Sequence, residues 1–482
     1  MLSSLTFAAV SCGDNGQNAE SIDSGNQTSA DDSAIEENTK TALMQMPDKD
    51  YGGREFNMLT AGDFSDYLLD QISVEELNGD VVNDAYYYRN LNVETKYNVK
   101  ITPREIPYND LDTAIRQEIM AGEQNTDLIL HSPTRLAALV PDKLFIDINE
   151  LPYTDLTADW YVPGVNEELA VGGKQYLFLT DLGAVYTYCC SILQYNRDLA
   201  TELGIPDLHQ IVLDGGWTID KMIEYSRLAT TDLNGDGFMD NQDRYGAVCL
   251  WSEFTDAIPY SMGIKITEND AEGKPQLVFN SERMVTCVEK MLSLMYEGGN
   301  GYTCEAPGDT WKTPQEMFRD NKALFVYTSI VSLFSDRFRD MEADHAVLPL
   351  PKLNEEQESY LTATCIGSAT VYAVPITTPD TEFTSRMIEA ISAEGKRLVI
   401  PAYIDTAIKV KHSSDETSKE IYDLILDGRI IDFATIYDSD GMYLLFRQLM
   451  KDRSSDFTSA YYAAEPAALE KYENIYNQIT SE

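Results

Sequence analysis

Stretches patterned as strands and stretches patterned as helices take turns along most of this chain. Glu55-Phe-Asn-Met-Leu-Thr60 reads as a strand, and Val81 to about Glu94 as a helix. Val99-Lys-Ile-Thr-Pro-Arg-Glu-Ile106 is a second strand, followed by a helix over Leu111–Met120 that Gly122 closes. Asp127-Leu-Ile-Leu-His131 is a short, nearly all-apolar strand, with a helix around Arg135–Val140 behind it. The alternation resumes with strands at Lys174–Thr180 and Ser191–Tyr195 and a short helix at Asp198–Leu203. Thr218 can cap a helix whose apolar face is Ile219, Met222 and Ile223. Ser281 opens another, with Met284, Val285, Val288, Met291, Leu292 and Met295 on one face. Thr313-Pro-Gln-Glu316 reads as a capping box ahead of the strand Ala323–Tyr327. Strands alternating with helices of this length imply βαβ units and a mostly parallel sheet. One sheet of so many strands would be large, so the expected architecture is α/β in two lobes.

Composition narrows the partner. The 482 residues hold 36 Lys and Arg against 80 Asp and Glu, a formal charge of −44. Nucleic acid and anionic membrane surfaces both need clustered basic residues, so both are excluded as partners. With 43 % hydrophobic and 10 % aromatic residues the chain can bury a core. The exception is residue 13 to about residue 49, a Ser-, Asn-, Asp- and Glu-rich run expected to be a disordered tether. Residues 1–12 are apolar and small up to Cys12 and read as the remnant of a secretory signal; Ala9-Val10-Ser11-Cys12 resembles a lipobox, whose cysteine would carry the lipid anchor. No apolar run reaches the ~18–20 residues that span a bilayer.

The sharpest chemical signal is Asp232-Leu-Asn-Gly-Asp-Gly-Phe-Met-Asp-Asn-Gln-Asp243. Oxygen donors stand at loop positions one, three, five, nine and twelve (Asp232, Asn234, Asp236, Asp240, Asp243), Gly237 is at six, and the Phe238 carbonyl is at seven. Calcium needs six to eight hard oxygens on such a loop, so a structural calcium is expected. A strand rather than a second helix follows, over Arg244–Leu250. Enzymatic signals are poor: the four histidines show no HExxH, and there is no GxSxG elbow and no Walker loop. Carboxylates are too numerous for a glycosidase pair to stand out. Trp160, Trp251 and Trp311 fall in loop contexts, where flat rings can pack on sugar C–H faces, whereas Trp217 reads as structural. The six cysteines after Cys12 lack metal spacing and several lie in apolar runs, so buried free thiols are expected.

Several segments together resemble the extracellular solute-binding proteins of ABC importers, of the family 1, sugar-binding lipoprotein type. They are Gly173-Lys-Gln-Tyr-Leu-Phe-Leu179, Leu193-Gln-Tyr-Asn-Arg-Asp-Leu-Ala-Thr-Glu-Leu-Gly-Ile205, Gly216-Trp-Thr-Ile-Asp-Lys-Met-Ile-Glu-Tyr225, Met317-Phe-Arg-Asp-Asn-Lys-Ala-Leu-Phe325 and His345-Ala-Val-Leu-Pro-Leu-Pro-Lys352. The resemblance implies a periplasmic-binding-protein-like (type II) fold of two α/β lobes closing on a solute about a multi-strand hinge. It places lobe one at about 50–182 plus 367–403 and lobe two at 183–366 plus 404–482. Crossings fall near Leu182–Tyr186, Thr362–Ser368 and Tyr403–Thr406. It nominates Asp63, His131, Ser132, Asp181, Tyr186, Trp251, Trp311 and Tyr327 as ligand contacts. It further implies a monomer that captures a neutral polar solute, such as a sugar or oligosaccharide, and delivers it to an ABC permease without catalysis. A secreted glycoside hydrolase and a surface carbohydrate-binding adhesin remain open as alternatives.

Overall fold

The computed structural model describes residues 42–62, 73–304, 308–310, 312–334, 338, 341–365, 369–409 and 416–481. Residues 1–45 form a unit of their own, described only as a helical turn at 42–45, and residues 46–482 form the other. Cys12, the tether up to residue 41, Asp63 and Trp311 lie outside the described residues.

Two main sheets organise residues 46–482. Their strands in chain order are β1 (Arg54–Ala61), β2 (Val99–Ile106), β3 (Leu128–His131), β4 (Ser191–Asn196), β5 (Tyr245–Cys249), β6 (Gly301–Thr303), β7 (Ala323–Ser329), β8 (His345–Leu348) and β9 (Val371–Ala373). The first sheet has the order β9-β3-β1-β2, and the second β8-β4-β7-β5-β6. In the first, β1 runs parallel to β2 and β3, with Arg54 opposite Val99 and Ala61 opposite Ile106, while β9 returns antiparallel to β3. In the second, β5 is parallel to β6 and β7, whereas β4 is antiparallel to β7 and β8. Parallel neighbours need crossovers, and the helices supply them.

The helices used below are α1 (Val81–Tyr97), α2 (Tyr108–Met120), α3 (Pro133–Ala137), α4 (Ile219–Ala229), α5 (Trp251–Ser261), α6 (Glu282–Met295), α7 (Thr381–Glu394), α8 (Ile400–Lys409), α9 (Leu445–Lys451) and α10 (Phe457–Thr480). α1 begins where the Asp80 side chain accepts from the amides of Val82 and Asn83, and ends at Asn98 in the left-handed conformation (φ 49°). α6 opens as expected, with the Ser281 hydroxyl accepting from the Met284 amide at 3.2 Å. α7 is almost entirely buried and passes through a π-helical turn, Gly395–Val399, into α8.

Three local expectations are corrected. Lys174–Thr180 is not a strand; it makes only single bridges, Lys174 to Val171, Phe178 to Tyr372 and Thr180 to Tyr161. Side chains satisfy its backbone instead: Asn166 accepts from the Leu179 amide (2.8 Å) and donates to the Leu179 carbonyl (2.7 Å), and Asp147 accepts from the Gln175 amide. The capping box at Thr313 does not form, because its hydroxyl accepts from the Thr310 amide at 2.9 Å and Lys312 occupies the cap position. Trp251 is not in a loop but opens α5 directly after β5.

Trp217 is structural as expected: it is fully buried and donates from Nε1 to the Pro349 carbonyl at 3.0 Å. Trp160 is half-buried and its Nε1 donates to Glu389 at 2.8 Å. Cys189, Cys190, Cys249 and Cys287 are buried free thiols; Cys304 and Cys365 are also free but half-buried.

Candidate functional site

A cavity of about 370 Å³ opens where segments of both sheets end. Thr134, in the first turn of α3, contributes from behind β3 of the first sheet. The second sheet contributes Ser191, the first residue of β4, and Tyr327 of β7. α5 supplies Ser252, Glu253, Asp256 and Tyr260 along one wall, and Tyr443 and Arg447 from the α9 region stand opposite. Loops beyond strand ends are where α/β sheets hold ligands. The volume lies at the lower end of the ~300–1,000 Å³ typical of small-molecule sites.

Most polar groups on these walls are already committed. The Tyr327 hydroxyl is 2.8 Å from the Ser191 hydroxyl, and its ring packs 5.2 Å from Phe254. Tyr260 donates to Asp432 at 3.1 Å, and that buried carboxylate also accepts from the Ile266 and Thr435 amides. Arg447 clamps Asp256 with two hydrogen bonds, the Nε one at 3.0 Å. Burial raises the Asp256 carboxyl above its ordinary range, although Arg447 pulls the other way. Glu253 reaches the water of the cleft, yet the surrounding walls hold off bulk solvent. That desolvation, with Asp256 one turn away, raises its carboxyl too.

The nominated ligand residues are not all brought to the cavity. Tyr327 lines the cavity. His131 and Ser132 sit just before Thr134 but turn to other partners: His131 Nε2 lies 3.0 Å from Asp112, and the Ser132 hydroxyl is 3.0 Å from that of Tyr108. Burial opposes ionisation of Asp112, but His131 and Arg135 together hold its carboxyl below the usual range. Asp181 and Tyr186 are buried and do not line the cavity. Asp181 pairs with Lys396 at 3.1 Å, and burial raises its carboxyl despite Lys396 and Arg429. Tyr186 is enclosed and its phenol is pushed upward by burial. Glu253, Asp256, Tyr443 and Arg447 were not among the nominated residues. The available signal was position: Glu253 falls in the first turn of a helix that starts immediately beyond a strand.

The chain passes from the first sheet to the second between Phe178, which bridges Tyr372, and Ser191 of β4. Arg89, wholly buried, donates to the Leu182 carbonyl at 2.5 Å, and the Ser392 hydroxyl donates to that of Thr180 at 2.8 Å. Gly395 lies against the carbonyls of Asp181 and Leu182. Near the third expected crossing, Tyr403 sits in α8 rather than in a strand. Its ring is 6.3 Å from Tyr86, 5.3 Å from Tyr188 and 5.6 Å from Phe334.

The 232–243 loop joins α4 to β5, as expected, and Thr231 bridges Arg244 across its base. Asp232 accepts from the amides of Gly235 (2.7 Å) and Gly237 (2.9 Å), and Asp236 accepts from Phe238. Asp243 accepts from Leu233 and Asp240, is sealed by the loop itself, and those amides hold its carboxyl below the usual range. Among the described residues no three His, Cys, Asp or Glu side chains stand together as a metal-holding group.

The bacterial extracellular solute-binding protein model matches residues 91–395. No functionally curated protein matches the chain in sequence. Among solved structures, the chain is similar to a cyclo/maltodextrin-binding protein complexed with maltotetraose (TM-score 0.55, 12 % identity, 89 % of this chain and 98 % of that one). It is similar as well to the cyclic alpha-maltosyl-1,6-maltose binding protein from Arthrobacter globiformis (TM-score 0.55, 13 % identity, 88 % and 100 %). A third is an ABC substrate-binding protein from Listeria monocytogenes in complex with cycloalternan (TM-score 0.51, 14 % identity, 88 % and 98 %). At these identities the likeness is one of fold, and that fold is the two-lobed α/β architecture expected from the sequence. With the family model covering well over half of its length, the chain belongs to the bacterial extracellular solute-binding proteins.

Proposed function

We propose that this protein captures a saccharide in the cleft between its two lobes and hands it to an ABC permease, making and breaking no bond. The observation that carries the reading is the cleft itself, where tyrosine rings and hydroxyls alternate with carboxylates around about 370 Å³. Aromatic faces pack on sugar C–H surfaces, and acceptor oxygens take the hydroxyl protons. The solved structures of similar fold hold maltotetraose and cycloalternan, which are polyhydroxyl solutes of this kind. The lobes divide at about 50–182 plus 367–403 and 183–366 plus 404–482. Sheet membership supports this, because every strand of the first sheet falls in the first set and every strand of the second in the other. The chain acts as a monomer, anchored through lipid on Cys12 with residues 13–49 as its tether.

Thermal unfolding with a panel of mono- and oligosaccharides tests the reading. A ligand at a hundred times its Kd stabilises the native state by about 2.7 kcal/mol, which raises the melting temperature by several degrees. No shift with any saccharide would count against capture, and appearance of cleavage products in the same mixtures would favour a glycoside hydrolase.

Calcium in the 232–243 loop is the second part of the proposal, with Asp232, Asn234, Asp236, Asp240, Asp243 and the Phe238 carbonyl as ligands. The ligand spacing and the bending of the loop about Asp232 support it. The ion would fasten α4 to β5. Adding a chelator is expected to lower the melting temperature by a few degrees in the native protein and to leave Asp232→Ala unmoved. An equal response from both, or none from either, would remove the ion from the description.

A further inference from the structure

Among the described residues of the cleft wall, one carboxylate has neither a cation nor a hydrogen-bond donor paired with it. Asp256 is held by Arg447 from across the cavity and by the Tyr443 hydroxyl. Glu253 stands one helical turn earlier on α5, exposed to the cavity, and among the described residues its carboxylate takes part in no hydrogen bond or ion pair. Arg447 is turned toward Asp256, Tyr260 toward Asp432 and Tyr327 toward Ser191, so no described cation on the wall is left to receive an anion.

On the reading that the cleft holds a saccharide, we propose that Glu253 is the residue that reads the solute. Its two oxygens accept hydrogen bonds from adjacent hydroxyl or ammonium donors, and its charge bars sugars that bear a carboxylate or phosphate there. An ionised carboxylate is an acceptor only, with room for two donors at once. Hydrogen bonds to a charged acceptor are the strong ones, and closure of the lobes removes the water that competes for them. A site built around such a group rejects a solute that leaves it unpaired, and rejects one of like charge more strongly. Asp256 cannot take this part without releasing Arg447. Selection therefore falls to Glu253 rather than to the acidic wall in general.

The test is isothermal titration of the native chain, Glu253→Gln and Glu253→Asp with glucose, maltose, cellobiose, glucosamine and glucuronate, beside the melting temperature of each unliganded protein. The native chain is expected to bind neutral or amino sugars at least tenfold more tightly than glucuronate. Glu253→Gln should weaken its preferred sugar at least tenfold and narrow the gap to glucuronate. Glu253→Asp, which keeps the charge on a shorter stem, should still exclude glucuronate. The unliganded Glu253→Gln protein should melt no lower than the native chain, since the change removes a desolvated charge beside Asp256. The proposal is overturned if Glu253→Gln binds its sugar as tightly as the native chain, or if glucuronate competes equally. Failure of the native chain to bind any of the five sugars would instead remove the saccharide reading on which the proposal rests.

Discussion

Replacing Gly395 by alanine is expected to destabilise the protein by about 3 kcal/mol or more, although alanine is the better helix former by ~1 kcal/mol. A Cβ at this position would stand 1.9 Å from the Asp181 carbonyl oxygen, against a floor of 3.0 Å for real contacts. Neither neighbour can give way cheaply, because both are backbone. Arg89 fixes the Leu182 carbonyl at 2.5 Å and Ser392 fixes Thr180 at 2.8 Å. Relief would require the crossing segment to retreat by about an ångström from a helix whose own residues are buried. Denaturant unfolding of native and Gly395→Ala proteins reads the loss as a lower midpoint with an unchanged slope. An unchanged midpoint would mean that the segment is free to move, and the crossing would then be softer than its hydrogen bonds imply.

The second large effect is on pH dependence and centres on Glu389. This α7 residue is 3 % exposed, and burial raises its carboxyl to about 7, even though Tyr161 (2.6 Å) and Trp160 (2.8 Å) donate to it and pull the other way. A carboxyl whose folded value lies above its unfolded value stabilises the protein fully below the unfolded value and loses that contribution as pH rises. Between pH ~4.5 and ~7 the native fold should therefore lose about 3 kcal/mol from this group, and no more of it above that window. Glu389→Gln keeps an acceptor for one donor and cannot ionise. Its stability should be flatter across the same window, at the expense of about 1 kcal/mol for the lost second hydrogen bond. Parallel pH profiles of melting temperature for the two proteins would refute the assignment of that slope to Glu389.

Three of the first sheet's four strands were legible because their signals are local, whereas β9 was not read. Glu55–Thr60, Val99–Ile106 and Asp127–His131 each appear as strands within a residue or two of the reading. The Asp232–Asp243 loop was likewise placed between a helix and a strand from spacing alone. What was not legible depended on distant partners. Lys174–Thr180 has strand-like composition, but Asn166 and Asp147 occupy its backbone groups, and nothing near it announces that. The capping box at Thr313 failed to a hydrogen bond from three residues upstream. The cleft was harder still. Among 80 acidic residues, Glu253 and Asp256 become distinct only when α9 brings Arg447 to one and leaves the other open. Asp181 and Tyr186 are buried outside the cavity lining, with Asp181 paired to Lys396.

The six free cysteines bear on how such a protein matures. A thiol exchanges or oxidises through its thiolate and needs access to a partner. Cys190 is enclosed, and burial pushes its thiol up to about 11; burial raises that of Cys287 as well. None of the six is joined in a disulfide. Among the described residues, Cys190 and Cys287 are thus shielded from thiol–disulfide exchange by enclosure and by the difficulty of forming their thiolates. A thiol reagent would reach these two sulfurs only after the fold around them opens.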